Sequence, residues 1–274
     1  MIRINGKDVK TFNFSAGEVN PTLPEDLKSG RFKILAYLQS SDDIMNLVMV
    51  VDALKRNFGD YPITLTVPYL PYSRQDRLCN KNEAVGLNVI IGMLSGLADT
   101  LFSFDIHNFE ACGMAGSAVM QMDITNIPVS RILYKNTITT RNTILVAPDQ
   151  GSISKVLKLS AELGTDYVLG SKKRDTATGK LSGFSVNTLG VDCEGKDLLI
   201  VDDICDGGGT FLGLYEELEK LKPKKVDLYV THGIFSKGYE SLLEKFDKIY
   251  TTDTFLKDHH ESITVIEVVK DVQV

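Results

Sequence analysis

The run Leu199-Ile200-Val201-Asp202-Asp203-Ile204-Cys205-Asp206-Gly207-Gly208-Gly209-Thr210 carries an apolar strand through carboxylates and glycines into a helix. A strand that feeds a helix through so tight a turn belongs to a parallel sheet with helices on its faces. Consecutive glycines let backbone N–H groups turn inward at the helix N-terminus, where the partial positive charge of the helix favours a phosphate. Asp202 and Asp203 would repel that phosphate unless they faced something else, and ribose hydroxyls or a magnesium ion are the groups that suit them. The segment reads as a cradle for a phosphorylated ribose.

Strand-like and helix-like segments alternate through nearly all of the chain, which predicts an α/β fold of mainly parallel sheets flanked by helices. Ile34 to Gln39 reads as a buried strand. Ser41 or Asp42 is expected to cap the following helix, where Ile44, Leu47, Val48, Val51 and Leu54 recur at helical spacing and Lys55 and Arg56 suit the C-terminal end. Ile63 to Val67 is a strand stopped by Pro68, Val85 to Leu97 a helix, and Thr100 to Asp105 a strand. Periodicity lapses around Thr125 to Val129, which puts a boundary between an N-terminal domain, 1–128, and a C-terminal domain, 129–274. The pattern then repeats: a strand from Thr143 to Pro148, a helix from Ser152 to Leu163 and a short strand from Tyr167 to Leu169. Lys172 to Leu181 is a charged stretch expected to be mobile, and Phe184 to Val186 resumes order. After the glycines, Phe211, Leu214, Tyr215, Leu218 and Leu221 form an amphipathic helix ended by Lys222 and Pro223, and Val226 to Thr231 and Ile263 to Ile266 are strands.

Composition narrows the function. With 274 residues and 43% hydrophobic content the chain can bury a sizeable core. No run of about 18 apolar residues is present to span a bilayer, and the first residues lack the pattern of a signal peptide, so a cytoplasmic protein without membrane contact is expected. Cys79, Cys112, Cys193 and Cys205 form no CxxC pair, which predicts free thiols. A net charge of −6 argues against a nucleic-acid surface and leaves anionic substrates to local basic clusters.

Reactive residues gather at the ends of expected strands, where parallel sheets bind ligands. Arg74 and Arg77, flanking Gln75 and Asp76, either grip phosphate oxygens or form a solvated turn. Asp105 and His107 either offer an oxygen and a nitrogen ligand or leave the histidine satisfied by backbone. Asp149 either holds a divalent ion with His107 or caps the next helix. Lys172, Lys173 and Arg174 either close over a triphosphate or are solvated. Two nucleotide motifs fail: Ser171-Lys172 reverses the order a P-loop needs, and the third glycine of a dinucleotide fingerprint would fall at Leu212.

Together these residues resemble the ribose-phosphate diphosphokinase (PRPP synthetase) family from about Phe14 to Thr254. Its Tyr-x-Arg-Gln-Asp-Arg stretch stands here as Tyr72-Ser73-Arg74-Gln75-Asp76-Arg77, its Asp-x-His as Asp105-Ile106-His107, and its Pro-Asp-x-Gly as Pro148-Asp149-Gln150-Gly151. Met49 to Arg56 also looks like the family's first long helix. The resemblance implies two tandem phosphoribosyltransferase-type domains, with ATP bound between domains and the sugar phosphate on the second. It implies that Arg74, Gln75, Asp76 and His107 contact ATP, with Phe14 and Glu18 of a neighbouring subunit of a homo-oligomer framing the adenine. By the same likeness His107 and Asp149 hold Mg2+, and Lys172 and Arg174, with His107, are catalytic. Asp202 and Asp203 would meet the ribose hydroxyls, and Asp206, Gly207, Gly208, Gly209 and Thr210 the 5-phosphate. The implied reaction moves the β,γ-diphosphate of ATP to the anomeric hydroxyl of a ribose phosphate and releases AMP, a step of nucleotide biosynthesis or NAD metabolism.

The chain departs from that family informatively. It looks short at both ends, Ala16 stands where the family carries Asp or Asn, and Leu78 to Asn82 lacks most of the basic residues that bind regulatory nucleotide and phosphate. Gly207 and Gly208 replace a threonine and an alanine or glycine, which removes a hydroxyl donor and is expected to widen the cradle. The acceptor is then either ribose 5-phosphate or a 5-substituted ribose such as ADP-ribose. The rival readings are a PRPP-consuming phosphoribosyltransferase, which has no use for Arg74-Gln75-Asp76, and a catalytically silent scaffold, which has no use for His107, Asp149, Lys172 and Arg174.

Overall fold

The structure, a computed structural model, describes residues 1–113, 119–122, 128–131, 142–174, 181–256 and 258–270. The chain divides into two compact units, Met1–Asp123 with Thr254–Leu256 and Val269–Val274, and Ile124–Asp253 with Lys257–Val268.

In the first unit the strands are β1 (Ile2–Ile4), β2 (Lys7–Asp8), β3 (Lys10–Asn13), β4 (Val19–Thr22), β5 (Phe32–Ala36), β6 (Ile63–Val67), β7 (Thr100–Phe104) and β8 (Val119–Met122). The helices are α1 (Ser41–Phe58), α2 (Gly86–Ser95) and α3 (Phe109–Gly113). A six-stranded sheet runs β2-β1-β5-β6-β7-β8, parallel from β5 to β8 and antiparallel at β1 and β2, while β3 and β4 form a separate hairpin. Helical spacing on α1 buries Ile44, Leu47, Val50, Val51 and Leu54 against Ile34, Leu65 and Leu101. Its cap is Ser40 rather than Ser41 or Asp42. The Ser40 hydroxyl accepts from the Asp43 N–H at 3.2 Å, and the Asp43 carboxylate accepts in turn from the Gln39 N–H at 3.1 Å. Extended backbone at Ser40 turns its hydroxyl back over the first turn, which a residue already inside the helix cannot do.

In the second unit the order is β9 (Thr143–Ala147), α4 (Ile153–Leu163), β10 (Asp166–Arg174), β11 (Leu181–Asn187), β12 (Asp197–Cys205), α5 (Gly209–Glu219), β13 (Lys225–Gly233), α6 (Glu240–Leu243), β14 (Lys248–Thr252) and β15 (Ile263–Ile266). The seven-stranded sheet runs β11-β10-β9-β12-β13-β14-β15 and is parallel except at β11. Buried Leu145, Val146, Leu199, Ile200, Val201 and Leu228 leave no polar alternation on its central strands, as expected when helices cover both faces. Lys172 to Arg174 were expected in a mobile stretch, yet they complete β10 by pairing with β11, so the apolar count alone had ended the strand too early. Residues 175–180 of that stretch lie outside the described residues.

Both sheets place loops at the carboxyl ends of their parallel strands. In the first, the loops after neighbouring β6 and β7 lie side by side, with Val67 opposite Ser103. In the second, the chain leaves β9 toward β10 on one side and returns as β12 on the other, so β9 and β12 flank the point where strand order reverses. Such a crevice is where open α/β sheets take ligands.

Candidate active site

In the first unit, Pro68 ends β6 and the chain turns through Tyr72 at φ 62° before presenting Arg74, Gln75, Asp76 and Arg77. The Gln75 carbonyl accepts the Leu87 N–H at 3.1 Å, which ties this turn to the start of α2. Gly86 faces the Gln75 side chain so closely that a Cβ there would displace the amide. From the end of β7, Asn108 donates its amide to the Asp76 carboxylate at 2.6 Å, and Arg77 Nε donates to the other oxygen at 3.1 Å. Burial works to raise the Asp76 pKa. The Asn108 hydrogen bond, the Arg77 charge and a contribution from His107 outweigh it, so the carboxylate sits below its ordinary range. The structure thus joins Asp76, Arg77, His107 and Asn108 from two loops. Asn108, next to His107 in the chain, has no signal in the sequence, where a lone amide is unremarkable.

Asp105 and His107 stand in different surroundings. Asp105 is 4% exposed in a left-handed backbone conformation at φ 39°, whereas His107 is exposed. Among the described residues no group of three or more His, Cys, Asp or Glu is arranged to hold a metal. Phe14 and Glu18 sit at the tip of the β3–β4 hairpin, where the Phe14 N–H donates to the Glu18 carbonyl at 2.8 Å. Phe14 is exposed and packs edge-on against Phe12 at 5.1 Å between ring centres.

In the second unit the crevice beside β9 and β12 gathers the remaining candidates. Asp149 caps the short 3-10 turn Gln150–Ser152 before α4, accepting the Gly151 N–H at 3.0 Å, and its other oxygen accepts from Lys172 Nζ at 2.8 Å. It is therefore both the helix cap and half of an ion pair. Gly170 makes this approach possible: a Cβ there would lie 2.9 Å from the carbonyl oxygens of Ala147 and Pro148, inside van der Waals contact. Arg174 ends β10, and its side chain lies outside the described residues.

At the end of β12, Asp202 accepts the Asp203 N–H at 3.0 Å and Asp203 accepts the Ile204 N–H at 2.7 Å. Burial pushes the Asp202 pKa well above the carboxylate range. The neighbouring charge of Asp203 and the weaker one of Asp149 add to this, against an opposing pull from Lys155. Lys155, on α4, was not singled out in the sequence, where it reads as one more solvated lysine. Gly208, at φ 75° and ψ −9°, occupies the left-handed region at the N-cap of α5, and no side chain caps that end among the described residues. The first-turn N–H groups of Gly209 and Thr210 have no intrahelical acceptor, the arrangement that suits an anion at a helix start.

The cradle is not widened on the side where Gly207 and Gly208 lack side chains. A Cβ at 207 would lie 3.2 Å from Lys237, and one at 208 would lie 3.1 Å from Leu242. Both residues follow β13, whose turn is joined to the cradle by donation from Ser236 N–H to the Asp206 carbonyl at 3.0 Å.

Residues 124–269 match the model of the phosphoribosyl transferase domain, and residues 1–97 match that of the N-terminal domain of ribose phosphate pyrophosphokinase. A ribose-phosphate pyrophosphokinase of Pyrococcus furiosus is 30% identical over 223 residues, 80% of this chain and 75% of that protein. The chain belongs to the ribose-phosphate pyrophosphokinase family. Another ribose-phosphate pyrophosphokinase, from Chlorobaculum tepidum, is 28% identical over 92% of this chain and 77% of its own length. A solved phosphoribosylpyrophosphate synthetase from Mycobacterium smegmatis superposes with a TM-score of 0.81 over 96% of this chain and 87% of that one; at 24% identity this likeness concerns the fold. Pyrophosphokinase membership makes the chain an enzyme of the diphosphotransferase type, built from an N-terminal family domain and a phosphoribosyltransferase-type domain. Among the described residues, no helix is long and apolar enough to cross a membrane.

Proposed function

We propose that this chain transfers the β,γ-diphosphate of ATP to the anomeric hydroxyl of a 5-phosphorylated ribose and releases AMP, with ribose 5-phosphate as the acceptor. The observation that carries this reading is the crevice of the second unit, where a glycine-capped helix start, a carboxylate pair and the Lys172–Asp149 ion pair stand on adjoining strand ends. In it, the first-turn N–H groups of α5 hold the 5-phosphate and Asp202 and Asp203 accept from ribose hydroxyls. Arg74, Gln75, Asp76 and His107 serve the nucleotide in the first unit, and the exposed Phe14 with Glu18 serves the adenine of a neighbouring copy. The anomeric hydroxyl releases its proton to water as its oxygen attacks the β-phosphorus, the bond to the α,β-bridging oxygen breaks, and AMP leaves. Such a transfer depends on positioning and on neutralising charge rather than on covalent intermediates.

The donor set fits magnesium at Asp149, whose carboxylate is 31% exposed, and fits it at His107 only through bound water, since magnesium prefers oxygen ligands. Bound there, it would neutralise triphosphate charge. Lys172 must leave Asp149 for its ammonium to face phosphate oxygens.

ADP-ribose is the second reading, favoured by the lysine whose stem lies beside Gly207. The test is AMP release from ATP and magnesium with each acceptor. Formation with either supports diphosphotransfer, and the faster acceptor identifies the substrate; no AMP with any pentose phosphate ends the proposal. Lys172→Ala is expected to lower turnover about 100-fold, about 3 kcal/mol, as for other preorganised charge donors. A loss within about threefold would remove Lys172 from the machinery.

A further inference from the structure

The turn after β13 carries a charge for which the reaction scheme above has no role. Phe235 is fully buried, its N–H donates to the Cys205 carbonyl at 3.0 Å, and its ring meets Tyr239 at 5.1 Å. The Ser236 N–H reaches Asp206, and Gly238, at φ 82°, closes the turn by donating to the Phe235 carbonyl at 3.1 Å. Lys237 is therefore held at the tip of a turn fastened to the cradle. Its Cδ and Cε lie 3.2 Å, and its Cγ 3.5 Å, from where a Cβ of residue 207 would stand, so its stem fills the place of the absent side chain. The residue is exposed, and no carboxylate pairs with it among the described residues.

An ammonium at the rim of a phosphate site, with its stem packed and no carboxylate to neutralise it, is placed to bind an anion rather than to stabilise the fold. The cradle's own N–H groups serve the phosphate seated on them, so this charge serves oxygens further out. We propose that Lys237 is an acceptor-binding residue that holds phosphoryl oxygens at the rim of the glycine cradle, adding to the hold on ribose 5-phosphate and adding more where an acceptor's 5-phosphate bears a second phosphoryl group. This rests on the reading of the second unit as the acceptor site.

Lys237→Met keeps the stem and removes the charge. It is expected to raise the KM for ADP-ribose about tenfold and for ribose 5-phosphate about threefold, the size of one lost charge-assisted contact. The KM for ATP and kcat should stay within about twofold, and Lys237→Arg should restore most of the loss, which a merely structural role would not produce. Gly207→Thr, which displaces the stem, should weaken ADP-ribose more than ribose 5-phosphate. Acceptor KM values within about twofold of the parent for both sugars would overturn the inference. If the parent makes no AMP with either sugar, the functional proposal fails, and calorimetric binding of the two sugars decides on Lys237. Binding about tenfold weaker in Lys237→Met sustains it, whereas equal binding, or none by the parent, overturns it.

Discussion

Asp202 shows how much the site asks of one side chain. Its carboxyl is held well above its ordinary value of 3.8, first by burial and then by the charges of Asp203 and Asp149. Below that ordinary value the group is protonated in folded and unfolded chains alike and has no effect on the balance between them. As pH rises, the unfolded chain ionises first, so the folded state loses stability until the raised folded pKa is passed. Asp202→Asn is expected to leave the melting temperature unchanged near pH 3 and to raise it at pH 7, while lowering turnover. A melting temperature at pH 7 equal to or below that of the parent would show that Asp202 is not so burdened. The contrast with Asp76 is instructive, because a donor amide and an arginine hold that carboxylate in its charged form. A sequence neighbour contributes to each shift, Asp203 beside Asp202 and Arg77 beside Asp76, but the burial of Asp202 and the Asn108 amide on Asp76 come from the tertiary structure. Burial likewise raises the Cys112 thiol to about 11, consistent with an inert core thiol.

Elements were legible where their signal is local. The apolar spacing of α1, Pro68 after β6 and the alternation of strands with helices all act within a few residues, and the corresponding elements form at or near the expected positions. The Ser40 cap of α1 is equally local. Ser40→Ala should cost about 1 kcal/mol, measured as a shift in chemical denaturation, because the Asp43 N–H loses its acceptor. An unchanged midpoint would mean that the first turn is held by packing alone. Less legible were β10, which extends through a basic stretch because β11 supplies its partner, and the β3–β4 hairpin, whose exposed residues carry no core pattern.

At the scale of the whole molecule the units are not simple consecutive halves, since Thr254–Leu256 returns to the first. There the Leu256 carbonyl accepts from Gln39 Nε2 at 2.7 Å, and Phe255 packs edge-on against Tyr69 at 5.5 Å. Phe255→Ala should weaken the first unit by about 1 kcal/mol, seen as faster hydrogen exchange at β5 and β6 amides with those of β12 unaffected. Uniform acceleration in both units, or none, would contradict this. Sequence alone determined the α/β class, the glycine-lined turn into a helix and the family likeness, because strand patterns, glycine backbone freedom and helix starts depend on residues a few places apart. Only the tertiary structure decided that Asn108 holds Asp76, that Lys172 meets Asp149 and that Lys237 covers Gly207. Those partners stand tens of residues apart, and they meet because sheet order brings particular strand ends together, a long-range outcome of core packing that no local pattern encodes.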